Sequence, residues 1–172
     1  MKNIVLFGFM GTGKSLVGKI LSQKLDYPLI EMDQEIENDE GLTINKIFEE
    51  KGEPYFRSLE LKLSEKISNY SSKIISTGGG IILNDKNILN LSRNSLCVCL
   101  NAKPLTIFKR ICDDKNRPLI ESDKNQIEDK FNKISKLLND RRLLYKKIPF
   151  QIDTDDLDPL LISEMIISEY NK

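Results

Sequence analysis

Histidine is missing from all 172 residues, and cysteine occurs only three times. Without an imidazole, His-based acid–base catalysis is excluded, and any proton acceptor must be a carboxylate or a less usual group. The same absence strips a transition-metal site of its commonest ligand. Cys97 and Cys99 stand two apart in "SLCVCL", so in a strand they share one face, where free cysteine packs as a small hydrophobe. An odd, sparse set of cysteines builds no disulfide framework and fits a reducing compartment. No apolar run approaches the roughly 20 residues that span a bilayer. The first one, Ile4 to Phe7, is too short for a secretory signal and leads straight into a glycine-rich loop. Basic excess is absent too, because Lys+Arg and Asp+Glu each number 26, unlike the footprint of a nucleic-acid-binding domain. The sequence thus predicts one cytoplasmic domain over 1–172, with a substantial core and neither nucleic acid nor membrane as partner.

What is present begins with "GFMGTGKS", residues 8–15, which spends three glycines in six residues after a buried-strand pattern. Glycine is conformationally expensive, so such a cluster serves either a tight turn or the close approach of backbone N–H groups to a bulky anion. Gly8, Gly13, Lys14 and Ser15 fit G-x-x-x-x-G-K-[ST], the phosphate-cradling loop. Residues 15–25 follow as a predicted helix with Leu16, Val17, Ile20, Leu21 and Leu25 on an apolar stripe. The loop therefore opens onto a helix N-terminus, where free N–H groups and the dipole favour phosphate. In that setting Lys14 bridges the outer phosphates and the Ser15 hydroxyl holds Mg2+. A Gly-rich turn with an exposed lysine is the plainer alternative. The motif in its strand–helix frame points to a nucleoside triphosphate, with ATP and Mg2+ as expected cofactors.

Five short apolar runs, 4–7, 28–32, 73–76, 96–100 and 149–153, read as buried parallel strands. Helical patterns cover 15–25, 34–52, 54–69, 85–92, 104–112, 125–146 and 159–170, with Pro54 and Pro159 at first helical positions. The alternation predicts an α/β sheet covered by helices on both faces. The long stretch between the second and third strands exceeds a minimal crossover and predicts a lobe over the site. Residues 112–126, "CDDKNRPLIESDKNQ", are polar, and composition leaves a lid and a plain surface loop equally open.

Glu31 and Asp33 in "LIEMDQEIE" come at the end of the second predicted strand, the edge where ligands of open α/β sheets bind. They suit proton acceptance, hydrogen bonding to a sugar-like hydroxyl or Mg2+ binding through water; alternatively, one caps the next helix. Arg57 and Glu60 lie three apart on a predicted helix and can pair. Gly78, Gly79 and Gly80 follow the third strand and allow backbone N–H groups close to a ligand, or simply make a sharp turn. Arg141 and Arg142, with Tyr145 one turn beyond Arg141, read by themselves as surface residues, as do Arg110 and Arg117 near the polar loop.

In order, "GFMGTGKS", "EMDQEI", "GEPYFRSLE", "STGGG", "RPLI" and "RRLLY" resemble the shikimate kinase family over nearly the whole chain. The resemblance implies a five-stranded parallel sheet in the order 2-3-1-4-5, with a substrate lobe over 33–61 and a lid over 112–124. It implies transfer of the ATP γ-phosphate to the 3-hydroxyl of shikimate by a monomer. On this reading Gly11, Thr12, Gly13, Lys14, Ser15 and Leu16 hold ATP, with Ser15 on Mg2+. Asp33 binds the substrate hydroxyls and acts as base; Arg57 and Arg141 grip the carboxylate, and Glu60 orients Arg57. Gly79 and Gly80 contact the substrate through backbone, Arg117 reaches the transferring phosphate, and Arg110 stacks on adenine.

Two positions depart from the family pattern. Glu31 stands where the first aspartate of Asp-x-Asp is usual, and "DTDDLDPLL" is acidic and apolar where arginines often flank adenine, so Leu157 is expected against the base. Two rivals remain: a kinase for another polyhydroxy carboxylate such as gluconate, and a non-enzymatic ATP switch. The second has no need of Arg57, Arg141 and Gly79 around one cavity.

Overall fold

The computed structural model describes residues 2–112 and 124–172. Its centre is β1 (Asn3–Phe7), buried at every position. β3 (Ile74–Ser76) and β4 (Ser95–Asn101) flank it, and β2 (Leu29–Glu31) and β5 (Phe150–Asp153) complete the sheet in the order β2-β3-β1-β4-β5. Every pairing is parallel, with Val5 opposite both Ile75 and Cys97. The expected sheet and strand order are those observed.

Strand periodicity divides the core in two. Ile4 and Leu6 face α1 (Lys14–Leu25) and α7 (Pro159–Tyr170), packing with Val17, Leu21, Ile162 and Ile166. Val5 and Phe7 face the opposite way. There Met32, Ile47, Leu91 and Ile107 come from α2 (Met32–Glu40), α3 (Ile44–Ile67), α4 (Asp85–Ser92) and α5 (Pro104–Cys112), joined by Tyr145 of α6 (Lys124–Tyr145). Cys97 and Cys99 are both buried on this second face, as their spacing predicts. Among the described residues no helix is long and apolar enough to cross a membrane.

The long insertion differs from expectation. In place of one helix over 34–52, α2 stops at Gly41, whose φ of 65° is left-handed, and α3 restarts after Thr43. Thr43 Oγ1 accepts from Lys46 N, and Glu37 Oε1 accepts from Ile44 N at 2.8 Å, so both segments share the capping of α3. α3 itself is kinked at Gly52, and Pro54 opens its second run, as expected of a first-turn proline. At the far end Asn87 Nδ2 donates to Ile81 O, and its Oδ1 lies 3.1 Å from Ser64 Oγ. This buried bridge ties α3 and α4 to the short 3-10 turn Ile81–Leu83 that follows the triple glycine.

Gly52 has φ 81° and ψ 166°, a backbone region open essentially to glycine alone. Gly52→Ala is therefore expected to lower unfolding free energy by about 1–3 kcal/mol, read by urea denaturation. Unchanged stability would show that the kink relaxes freely.

Candidate active site

The phosphate-type loop leaves β1 at Phe7 and enters α1 at Lys14. Gly13 is the N-cap, with φ 98°, and Thr12 folds its hydroxyl onto Phe9 O at 2.8 Å. The first N–H groups of α1 have no partners within the helix, which leaves an anion-binding end. Lys14 bends back across the loop, donating to Gly8 O at 2.8 Å and Phe9 O at 3.0 Å. Its burial pulls its pKa down from 10.5 to about 8, against the pull of Asp33. Leu16 corrects the expected stripe: it is 53% exposed instead of buried with Val17 and Leu21. It lines, with Ser15, a cleft of about 740 Å³ at the carboxyl ends of the strands.

The same cleft takes Met10, Gly11 and Gly13 from the loop, Glu31 from β2, Asp33 and Glu37 from α2, and Thr77 and Gly79 beyond β3. Asp33 belongs to the first turn of α2, not to the strand end. Burial raises its pKa above 3.8, with Lys14 and Arg57 opposing the shift and Glu37 and Glu31 adding to it. Arg110 also borders the cleft. Its guanidinium donates to Thr154 O at 2.6 Å, Thr154 Oγ1 at 3.0 Å and Gly11 O at 3.3 Å, pinning the loop to the end of β5. Leu157 packs with the α1–α7 side of the core.

Arg57 lies next to this wall. Its Nη1 donates to Glu60 Oε2 at 2.8 Å and its Nη2 to Glu53 Oε1 at 2.8 Å, so the expected pair is present and Glu53 is an additional partner. Glu60 is only 2% exposed, and its Oε1 has no hydrogen-bond partner among the described residues. Burial raises the Glu60 pKa in spite of Arg57.

The triple glycine joins these groups. A methyl on Gly78 would strike the Asp33 carboxylate, one on Gly79 would lie 3.3 Å from Met10 N, and one on Gly80 would strike the Arg57 guanidinium. Gly79 O accepts from Arg141 Nη1 at 3.2 Å and from Tyr145 Oη at 2.6 Å. Arg141 thus faces inward beside the loop, contrary to the surface reading of its motif alone, while Arg142 is exposed.

Of the predicted residues, the loop, Asp33, Arg57, Gly79, Gly80, Arg110 and Arg141 come together around or against one cleft. Arg117 and nearly all of 112–124 lie outside the described residues. Sequence reading missed Glu37, Glu53 and Thr154; only Glu53, four before Arg57, carried a visible signal.

Comparison with known proteins agrees with this geometry. The family model described as "Shikimate kinase" matches residues 10–171. The shikimate kinase of Caldicellulosiruptor bescii is 46% identical over 168 residues, covering 98% of this chain and 95% of that protein. The shikimate kinase of Thermodesulfovibrio yellowstonii is 41% identical, covering 100% of this chain and 96% of that protein. Among solved structures, a shikimate kinase from Acinetobacter baumannii in complex with shikimate superposes with a TM-score of 0.87 at 31% identity. It covers 99% of this chain and 93% of its own.

Burial works against both central charges. Asp33, its folded pKa raised above 3.8, contributes stability fully below that value and loses it as pH rises through the folded pKa. Lys14 contributes fully above 10.5 and loses it as pH falls through about 8. Asp33→Asn is therefore expected to melt at or above the parent near neutral pH, with the difference closing at acid pH where the parent's Asp33 is protonated. Calorimetry across pH checks this, and a lower melting temperature at neutral pH would contradict it.

Proposed function

The chain belongs to the shikimate kinase family, and from that premise we propose how its own residues divide the ATP-dependent phosphorylation of shikimate. The observation that carries the reading is the contact of Gly78 with Asp33 and of Gly80 with Arg57, both beside the phosphate loop. A carboxylate-binding arginine, a buried carboxylate and an ATP loop then share one edge of the sheet.

Arg57 and Arg141 bind the substrate carboxylate, where the guanidinium fork matches two oxygens. Glu60 and Glu53 hold Arg57 in place. The N–H groups of Gly79 and Gly80 hydrogen-bond the substrate. Asp33 accepts the proton of the 3-hydroxyl; its raised pKa suits a group that must take up a proton during the reaction. The hydroxyl oxygen bonds to the γ-phosphorus as the bond from that phosphorus to the bridging oxygen breaks, and ADP leaves. Lys14 exchanges the carbonyls of Gly8 and Phe9 for phosphate oxygens, so its charge meets the charge it was placed for.

The oxygen-rich donor set of Ser15, Glu31 and Asp33 around the cleft fits Mg2+. Ser15 would hold the ion directly and Glu31 through water, and the ion neutralises phosphate charge when bound. Gly11, Thr12, Gly13 and Leu16 complete the ATP site, with Arg110 beside the adenine. Arg117, by its place in "RPLI", acts on the transferring phosphate. The same reading has the enzyme working as a cytoplasmic monomer, with a substrate lobe over 33–61 and a lid over 112–124. A gluconate kinase is not favoured, because the whole-chain relatives are shikimate kinases.

ADP release with shikimate, with gluconate and with neither tests the function. Shikimate-dependent release is expected; release without it, or with gluconate alone, would overturn the reading. Arg57→Ala is expected to raise the shikimate KM roughly ten- to a hundredfold, the loss of a charge-assisted pair, with the ATP KM little changed. Steady-state kinetics check this, and an unchanged shikimate KM would remove Arg57 from the substrate site.

A further inference from the structure

Tyr145 has no place in the roles above, yet its hydroxyl reaches the Gly79 carbonyl more closely than Arg141 does. It is the last residue of α6, buried in the same core cluster as Phe9 and Ile81. The hydroxyl donates to Gly79 O at 2.6 Å, and burial raises its pKa, keeping it a donor. Gly79 O also accepts from Arg141 Nη1, so both lone pairs of one carbonyl are taken from α6.

In a trans peptide the carbonyl and the following N–H point in opposite directions. Holding Gly79 O against α6 therefore turns the Gly80 N–H away from α6. That N–H makes no hydrogen bond to any described residue. The Tyr145 hydroxyl also interacts with the Arg141 guanidinium itself, so the two donors to Gly79 O are held side by side. The Tyr145 end of α6 is itself anchored. Gln151 Nε2 donates to Tyr145 O at 3.0 Å, and Asn101 Nδ2 donates to Gln151 Oε1 at 2.8 Å, linking the end of α6 to β4 and β5.

We infer that Tyr145 is a positioning residue of the acceptor site: it fixes the Gly79–Gly80 peptide so that the Gly80 N–H and the Arg141 guanidinium both meet the shikimate. This rests on the shikimate kinase reading. It does not touch the reacting atoms, and its influence passes through Gly79 and Arg141.

Tyr145→Phe removes one O–H and keeps the ring. The expected result is a shikimate KM raised roughly five- to thirtyfold, the equivalent of one buried hydrogen bond, with ATP KM and melting temperature nearly unchanged. In an Arg141→Ala background the same substitution is expected to have a different effect from that in the parent, because the two side chains share Gly79 O and are energetically coupled. An unchanged shikimate KM, equal rises in both KM values with a lowered melting temperature, or full additivity with Arg141→Ala would each overturn the inference. Gln151→Ala loosens the support of Tyr145 without entering the site and is expected to raise the shikimate KM alone by about two- to threefold, since it weakens one neutral hydrogen bond. Should Tyr145→Phe fail to fold, an unchanged KM in Gln151→Ala overturns the inference instead. A parent enzyme without shikimate-dependent ADP release sinks the kinase reading and this inference together. An active parent with an indifferent Tyr145→Phe sinks only the role of Tyr145.

Discussion

Three consecutive residues without side chains allow four parts of this molecule to meet. Gly78 lies against the Asp33 carboxylate, Gly79 against the backbone of the phosphate loop, and Gly80 against the Arg57 guanidinium. A methyl at the first or third position would overlap a charged group directly. The constraint couples β3 to α2, to the loop after β1 and to α3, so the spacing between that loop and Arg57 is set by backbone. Tyr145 and Arg141 close the arrangement from the other side through the Gly79 carbonyl.

Around that backbone the protein concentrates charge where water is scarce. Lys14, Asp33 and Glu60 each carry a pKa moved toward the neutral form by burial, and Glu60 Oε1 has no hydrogen-bond partner among the described residues. Such groups weaken folding at neutral pH, and the sheet's continuous apolar strands and two core faces offset them. Lys14 meanwhile spends its charge on the carbonyls of Gly8 and Phe9. Perturbed titration of this kind concentrates at functional sites.

The insertion between β2 and β3 carries Asp33 and Glu37 to the cleft and Arg57 and Glu60 beside it. Its local errors of expectation are instructive: helical periodicity runs smoothly through "DEGLTIN", yet Gly41 and Thr43 end one helix and cap the next. Leu16 is the corresponding error in α1, an apolar residue in helical phase that opens into the cleft. Periodicity reports which residues can share a face, and it does not report whether that face meets core or ligand.

Read alone, the sequence was sufficient for the parallel sheet, the ATP loop, the buried cysteines and the Arg57–Glu60 pair. Each of these depends on short-range spacing: a strand's run of apolar residues, a glycine–lysine–serine frame, a period of two, a separation of three. Strand order came from the resemblance carried by the ordered set of motifs. What only the tertiary structure decided was the company those residues keep. That Asp33 faces Gly78, that Arg110 holds Thr154 and Gly11, and that Arg141 and Tyr145 share one carbonyl 62 and 66 residues away are long-range contacts. They are set by the packing of whole helices on the sheet, and the local sequence around an arginine cannot distinguish a solvated guanidinium from one turned inward.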